Sequence, residues 1–197
     1  MARHSMFIIM AVILLVRLTN YGASAWVNGQ NYVRNACSVT TYRDLCIRSL
    51  APFSSTAKTS PIKWARLGVS VTIVEVKSAN QYLNNLNKLN CMKGRNRLAL
   101  LDCIEVFQDT IDELHKSLGI LRKLSARNFV RQMDDLTTFM SAALTDENTC
   151  LDGFQGQSGR QVNQLKTRVL NSTYFTSNAL DLVGKLSTSG FESLNDP

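Results

Sequence analysis

Proline is scarce in this chain of 197 residues, where Pro52 and Pro61 are the only two prolines before the C-terminal residue. Because proline interrupts helices, its absence from residues 62–196 permits long uninterrupted helices. Strict alternation of apolar and polar residues is also rare, and apolar residues instead recur every three or four positions. These absences predict an all-α protein.

Histidine is almost absent as well, since His4 and His115 are the only two. A serine or cysteine nucleophile normally needs a histidine base, and His115 is predicted to lie on a helix surface beside the apolar residue Leu114. No GxSxG, P-loop or GxGxxG motif is present. No CxxC pair occurs, so a structural zinc site is not expected. The sequence therefore predicts a protein that is not an enzyme and needs no metal or cofactor.

Long apolar runs are missing beyond one near the start, at residues 6–16. This run follows Arg3 and precedes Ala23-Ser24-Ala25, which is the layout of a secretory signal cleaved after Ala25. A membrane anchor is the alternative, but the run is shorter than the ~20 residues that span a bilayer. We predict a signal peptide at 1–25, a secreted protein, and no membrane segment after cleavage.

The formal charge is +7, and it falls to +5 without the predicted signal, which contains Arg3 and Arg17 but no acidic residue. The basic residues are scattered and are not interleaved with aromatic ones, so nucleic-acid binding is not expected. A mild positive charge suits weak association with polyanions such as wall polysaccharides.

Apolar spacing predicts four helices after residue 60. The clearest seam has spacings of three and four residues and comprises Leu100, Ile104, Phe107, Ile111, Leu114, Leu118 and Leu121. Less regular helices are predicted at 62–89, 126–145 and 160–186, the first with a seam of Leu67, Val71, Val74, Tyr82, Leu86 and Leu89. Short connections favour antiparallel neighbours. We predict an N-terminal appendage and linker at 26–60, a helical bundle at 61–190 and a tail at 191–197.

Five cysteines remain in the mature chain: Cys37, Cys46, Cys91, Cys103 and Cys150. In an oxidising compartment two disulfides and one free thiol are expected. On one straight helix the Cα atoms of Cys37 and Cys46 would be ~13.5 Å apart. A disulfide needs them within ~7 Å, so this pair requires a chain reversal, for which "SVTT" supplies a turn. Cys103 can reach Cys150, which is expected just beyond the third helix, but Cys91 lies near the same end.

Carboxylates three residues apart, at Asp109 and Asp112, fall on the outer face of the clearest helix. They form either a solvated surface or a face that attracts a basic partner. The sequon Asn171-Ser172-Thr173 predicts a glycan on Asn171 at the surface. A helical bundle that carries an apolar ligand in its core is an alternative of another class.

Three segments resemble the plant invertase and pectin methylesterase inhibitors. They are "ACSVTTYRDLC" at 36–46, "LLDCIEVFQDTIDEL" at 100–114 and "MSAALTDENTCLDGF" at 140–154. The resemblance implies a four-helix up-and-down bundle with an N-terminal helical hairpin, and disulfides Cys37–Cys46 and Cys103–Cys150. It also implies a non-catalytic protein that blocks the substrate cleft of a carbohydrate-active enzyme. Cys91 has no counterpart in this framework and is expected to be unpaired.

The segment "TDENTCLDGF" is more similar to the pectin methylesterase inhibitors than to the invertase inhibitors, and the Pro-Lys-Phe motif of the latter is absent. The resemblance therefore implies a one-to-one complex with a pectin methylesterase in the apoplast or cell wall, with an invertase as the alternative target. The positions that match the family's contact pattern are Asp109, Asp112, Thr149 and Asp152.

Overall fold

The computed structural model describes residues 29–190, so the predicted signal peptide at 1–25 and the tail at 191–197 lie outside the described residues. These residues form helices and no strand. Helix α1 occupies 29–36 as far as it is described. The helices that follow are α2 (Arg43–Leu50), α3 (Ser54–Ala57), α4 (Pro61–Lys88), α5 (Gly94–Arg122), α6 (Phe129–Gly153) and α7 (Arg160–Ser189). Short 3-10 turns lie at Cys37–Val39, Ala51–Phe53 and Ala126–Asn128.

The four long helices form an up-and-down bundle, which confirms the predicted fold class. Each packs against the next along the chain, and α7 returns to pack against α4, which closes a ring. Fully buried side chains from every helix fill the centre, among them Val69, Phe107, Leu136 and Leu165. Burial of this apolar surface is the main force that holds the ring together.

The N-terminal hairpin, formed by α1, the turn at 37–42 and α2, packs across α4 and α7. Cys37, Cys46 and Leu50 share a buried cluster with Trp64 of α4 and Leu182 of α7. The turn is also held by polar contacts. The Thr41 amide donates to Asp181 Oδ2 at 2.8 Å, and the Tyr42 amide donates to Asn178 Oδ1 at 2.9 Å. One outer edge of the bundle is therefore covered by the hairpin.

Both implied disulfides are present. Cys37 and Cys46 are bonded across a reversal that brings their Cα atoms to 5.8 Å. The turn is stabilised by the Thr40 hydroxyl, which donates to the Cys37 carbonyl at 2.9 Å. Cys103 and Cys150 are bonded 47 residues apart with Cα atoms at 4.6 Å, which ties α5 to α6. Loop-closure entropy assigns about 2.5 kcal/mol to the first bond and about 4 kcal/mol to the second.

The predicted seam of α4 is wrong for four of its six residues, whereas Leu86 is buried in the bundle core and Tyr82 packs against it. Val74 and Leu89 are 69% and 73% exposed, and Leu67 and Val71 are half-buried against the hairpin cluster. Apart from Leu86, the bundle core receives α4 side chains that the predicted seam did not include, namely Ile62, Ala65, Val69, Ile73, Val76, Ala79 and Leu83. Helix α4 packs against the bundle on one side and against the hairpin on another, so its apolar residues form two stripes. The predicted single seam combined residues from both stripes.

Three predicted boundaries also change. Helix α6 continues to Gly153, so Cys150 lies in its last turn and not beyond its end. The segment at 51–60 is not a plain linker, because it contains a 3-10 turn and α3. Helix α6 begins at Phe129 and not at the predicted residue 126, and Ser125 caps the intervening 3-10 turn without a side-chain capping bond. Its backbone amide instead donates to Gln132 Oε1 at 2.9 Å.

Candidate functional site

The edge of the bundle opposite the hairpin is formed by α5 and α6. All four residues that the resemblance assigns to partner binding are exposed there, Asp109 and Asp112 on α5, and Thr149 and Asp152 on α6. We call this set the α5–α6 face. The Cys103–Cys150 bond fixes the relative position of its two helices.

Asp109 faces an acidic residue of α6 that the sequence did not single out, Asp146. Burial raises the pKa of Asp146, and the charges of Asp109 and Glu113 raise that pKa further. This means that the three carboxyl groups lie close together between the helices. Clustered carboxylates repel one another, and the repulsion is relieved when a cationic partner binds.

The acidic group is bounded on one side by a cation. Lys116 Nζ lies 3.3 Å from Glu113 Oε1 and 5.3 Å from the centroid of the Phe139 ring. Exposed pairs of this kind add little stability. Lys116 and Phe139 mark the end of the acidic group on this edge.

Thr149 and Asp152 lie in the last two turns of α6. The Thr149 hydroxyl donates to the Thr145 carbonyl at 2.9 Å, which leaves its oxygen lone pairs free to accept. Asp152 is two residues from Cys150, where the negative end of the helix dipole disfavours a carboxylate. Asp152 is therefore placed unfavourably for the stability of α6. Neither Asp112 nor Asp152 forms an ion pair with any residue within 29–190.

A buried carboxyl group lies beside this face, and sequence reasoning missed it. Glu147 of α6 is 0% exposed. The nearby hydroxyls of Ser172 and Thr176 donate to backbone carbonyls of α7, at 2.8 and 3.2 Å. Both Glu147 carboxyl oxygens consequently lack a hydrogen-bond partner among the described residues. Burial, the largest effect, raises the pKa of Glu147 to about 8, whereas the two hydroxyls lower it and Asp146 adds a small increase.

The other residues that the sequence singled out lie away from the α5–α6 face or are exposed without partners. His115 is exposed on α5, as predicted. Cys91 is unpaired and half-buried against the bundle core. Asn171 is half-buried in the middle of α7, and its side-chain amide donates to Glu75 Oε1 at 2.7 Å.

Neither a metal site nor a membrane span is found in the described part of the chain. No group of three or more potential metal ligands occurs within 29–190. Over the same range, no helix is both apolar enough and long enough to cross a membrane.

Comparison with known proteins gives one consistent family. A family model described as plant invertase/pectin methylesterase inhibitor matches residues 31–182. Pectinesterase inhibitor 6 of Arabidopsis thaliana is 45% identical over 161 residues, which cover 81% of this chain and 77% of that protein. Pectinesterase inhibitor 11 of Arabidopsis thaliana is 34% identical over 159 residues, covering 78% of this chain and 79% of that protein.

The fold has a counterpart among solved structures. The crystal structure of mutant form A of a pectin methylesterase inhibitor from Arabidopsis superposes with a TM-score of 0.61 at 17% identity, covering 75% of this chain and 92% of that chain. At that identity the superposition supports the fold, and the sequence matches supply the family. The chain belongs to the plant invertase/pectin methylesterase inhibitor family.

Proposed function

We propose that this protein inhibits a pectin methylesterase by laying its α5–α6 face across the substrate cleft of the enzyme, in a one-to-one complex. The observation that carries the function is the 45% identity, over most of the chain, to a protein named a pectinesterase inhibitor. The chain is a member of an inhibitor family and not an enzyme.

The arrangement of the helices supports the choice of face. The hairpin occupies the α4–α7 edge through the buried contacts of Trp64 and Leu182, so that edge is already used inside the fold. The α5–α6 edge is uncovered and carries exposed polar side chains on two rigid helices joined by a disulfide. Helices joined in this way hold the backbone of the contact residues in place, which lowers the entropy cost of binding.

Charge supports a basic rim on the target. Asp109 and Asp112 are exposed carboxylates on α5, and Asp152 adds a third on α6. Carboxylates arranged in this way steer a partner of opposite charge and fix its orientation. At the rim of an interface, where solvent screens them, they contribute less to affinity.

The family description names two targets, invertase and pectin methylesterase. The segment "TDENTCLDGF" forms the end of α6 and supplies both Thr149 and Asp152. We favour the pectin methylesterase because this segment resembles the inhibitors of that enzyme, and we keep an invertase as the alternative target.

Secretion to the apoplast or cell wall is part of the proposal. Two disulfides in one small domain suit an oxidising compartment. A glycan on Asn171 is also proposed, although its amide donates to Glu75 in the folded chain. A glycosylated Asn171 would keep one side-chain N–H for the contact with Glu75. The glycan would project from α7 at the groove lined by Tyr42 and Tyr174.

Charge reversal tests the face directly. Asp109→Lys and Asp152→Lys should each raise the inhibition constant, measured by methanol release from pectin, about tenfold. Asp44→Lys makes the same charge change on the hairpin, at an exposed position, and should leave inhibition unchanged. Asp152→Lys should also raise the melting temperature slightly, because a cation suits the end of α6. Equal inhibition by all three variants would show that the α5–α6 face is only solvated surface.

A further inference from the structure

A cavity of about 330 Å³ lies where the hairpin meets the bundle. Its walls come from α1, the turn between α3 and α4, the start of α4 and the end of α7. This volume is at the lower end of the range of small-molecule sites in proteins. The cavity is on the α4–α7 edge, opposite the α5–α6 face, so nothing in the proposed function uses it.

Two lysines line the cavity, Lys58 and Lys185, and no acidic residue is among its described lining residues. Neither lysine forms an ion pair with a carboxylate within residues 29–190. Lys185 Nζ donates to the backbone carbonyl of Asn35 at 2.5 Å and to Asn35 Oδ1 at 3.1 Å. Burial lowers the pKa of Lys185, because its ammonium group loses water that no counter-charge replaces.

The backbone of Lys58 is strained. The Ser60 amide donates to the Ala57 carbonyl at 3.0 Å, which closes a four-residue turn with Lys58 in its second position. There Lys58 has φ 48° and ψ −121°, a conformation that glycine adopts readily and other residues do not. The Trp64 indole holds this turn by donating to the Lys58 carbonyl at 2.8 Å. Glycine would relieve the strain, so a lysine at this position costs stability.

The remaining walls combine apolar surface with carboxamides. Trp64 and Leu182 are buried beneath the cavity, and Tyr32 flanks it. Asn31 and Asn35 of α1 provide amide groups that both donate and accept hydrogen bonds. The cavity thus combines an apolar floor, two carboxamides and two lysines that have no carboxylate partner among the described residues. These groups suit a ligand with a hydrophobic face, hydroxyl groups and one negative charge.

We propose that this cavity binds a sugar acid, with its carboxylate between Lys58 and Lys185, its hydroxyl groups on Asn31 and Asn35, and its ring face on the apolar floor. The site does not depend on inhibition of an esterase. The proposed function enters only in the choice of galacturonate as the probe, because galacturonate is the sugar acid that de-esterification of pectin exposes.

The test is a titration of the purified, ¹⁵N-labelled secreted protein followed by nuclear magnetic resonance, with no esterase present. Galacturonate at millimolar concentrations should shift the Trp64 indole signal and the amide signals of Asn35 and Lys58. The neutral methyl ester of galacturonate has nearly the same shape and should bind at least about tenfold more weakly, since it lacks the charge-assisted contacts. Acetate and inorganic phosphate, at equal ionic strength, should produce much smaller shifts.

Three variants make the test specific. Lys185→Gln and Lys58→Gln should each weaken galacturonate binding about tenfold. Lys93→Gln removes an exposed lysine outside the cavity and should change nothing. If Lys185→Gln loosens the hairpin, Lys58→Gln still decides the matter, because Lys58 is exposed and its side chain supports no other contact that the structure describes.

Several results would overturn the proposal. One is the absence of any shift with galacturonate, and another is equal binding of the acid and its methyl ester. Equal binding of acetate or phosphate would show a general anion site and no sugar site. A loss of affinity in Lys93→Gln as large as that in Lys58→Gln would show that only the net charge of the protein matters.

Discussion

Replacement of the buried Glu147 by glutamine should remove a large part of the pH dependence of folding stability. Glutamine has nearly the same shape as glutamic acid but cannot ionise. In the fold the carboxyl group is fully buried, and the penalty that burial imposes on a carboxylate outweighs the opposing effect of the nearby Ser172 and Thr176 hydroxyls. The structure therefore favours protonated Glu147.

The magnitude follows from the shift in pKa. The Glu147 pKa rises from its ordinary value of 4.5 to about 8 in the fold, mainly through burial. Below pH 4.5 both the folded and the unfolded chain hold the proton, so the stabilising effect is complete. As the pH rises towards 8 the unfolded chain loses the proton and the folded chain keeps it, which lowers stability by about 1.4 kcal/mol per pH unit. The total loss for a pKa shift from 4.5 to about 8 is about 5 kcal/mol.

Urea unfolding of the wild type and of Glu147→Gln between about pH 5 and pH 8 measures this effect. The free energy of unfolding of the wild type should fall more steeply with pH than that of the variant. An unmet amide donor in the variant adds a constant offset and leaves the slope difference intact. Asp134→Asn, at an exposed position of the same helix, should retain the wild-type slope. Parallel curves for wild type and Glu147→Gln would show that the carboxyl ionises freely in the folded protein.

Two further expectations concern stability and modification. Gly119→Ala should raise the free energy of unfolding by about 0.5–1 kcal/mol, because α5 has open space there. Gly68→Ala should gain less or lose stability, since its Cβ would lie 2.9 Å from Leu182 Cδ1; equal gains at the two sites would contradict the packing argument. Treatment of the plant-secreted protein with a peptide N-glycosidase should lower its mass if Asn171 carries a glycan, and an unchanged mass would show that Asn171 keeps only its contact with Glu75.

The periodicity of α5 could be predicted from the sequence because this helix has one apolar stripe. Of its seven predicted seam residues, only Ile104 is half-buried and the others are buried. The phase of α4 could not be predicted in the same way. Its apolar residues serve both the bundle and the hairpin, so the two stripes overlap in sequence. A hairpin that packs on one edge is a tertiary feature that no local pattern encodes.

The outer-face position of Asp109 and Asp112 was predictable from the sequence, but the electrostatics of the α5–α6 face were not. Asp109 and Asp112 could be placed on an outer face from helical spacing alone. Asp146 and Glu113 were missed because their proximity to Asp109 depends on the register between α5 and α6, which the disulfide fixes. Glu147 did leave a signal, since it continues the three- and four-residue spacing of Met140, Ala143 and Cys150. A carboxyl group in an apolar seam is the sequence signal of a buried glutamate.

Inhibition can be measured by titrating the purified secreted protein into a plant pectin methylesterase and following methanol release from pectin. A plant invertase is assayed in parallel. We expect methanol release to fall until one inhibitor is present for each enzyme molecule, and we expect the invertase to retain its activity. Undiminished methanol release from several esterase isoforms, across acidic to neutral pH, would show that the protein does not inhibit pectin methylesterases. Inhibition of the invertase alone would assign the protein to the other target of its family.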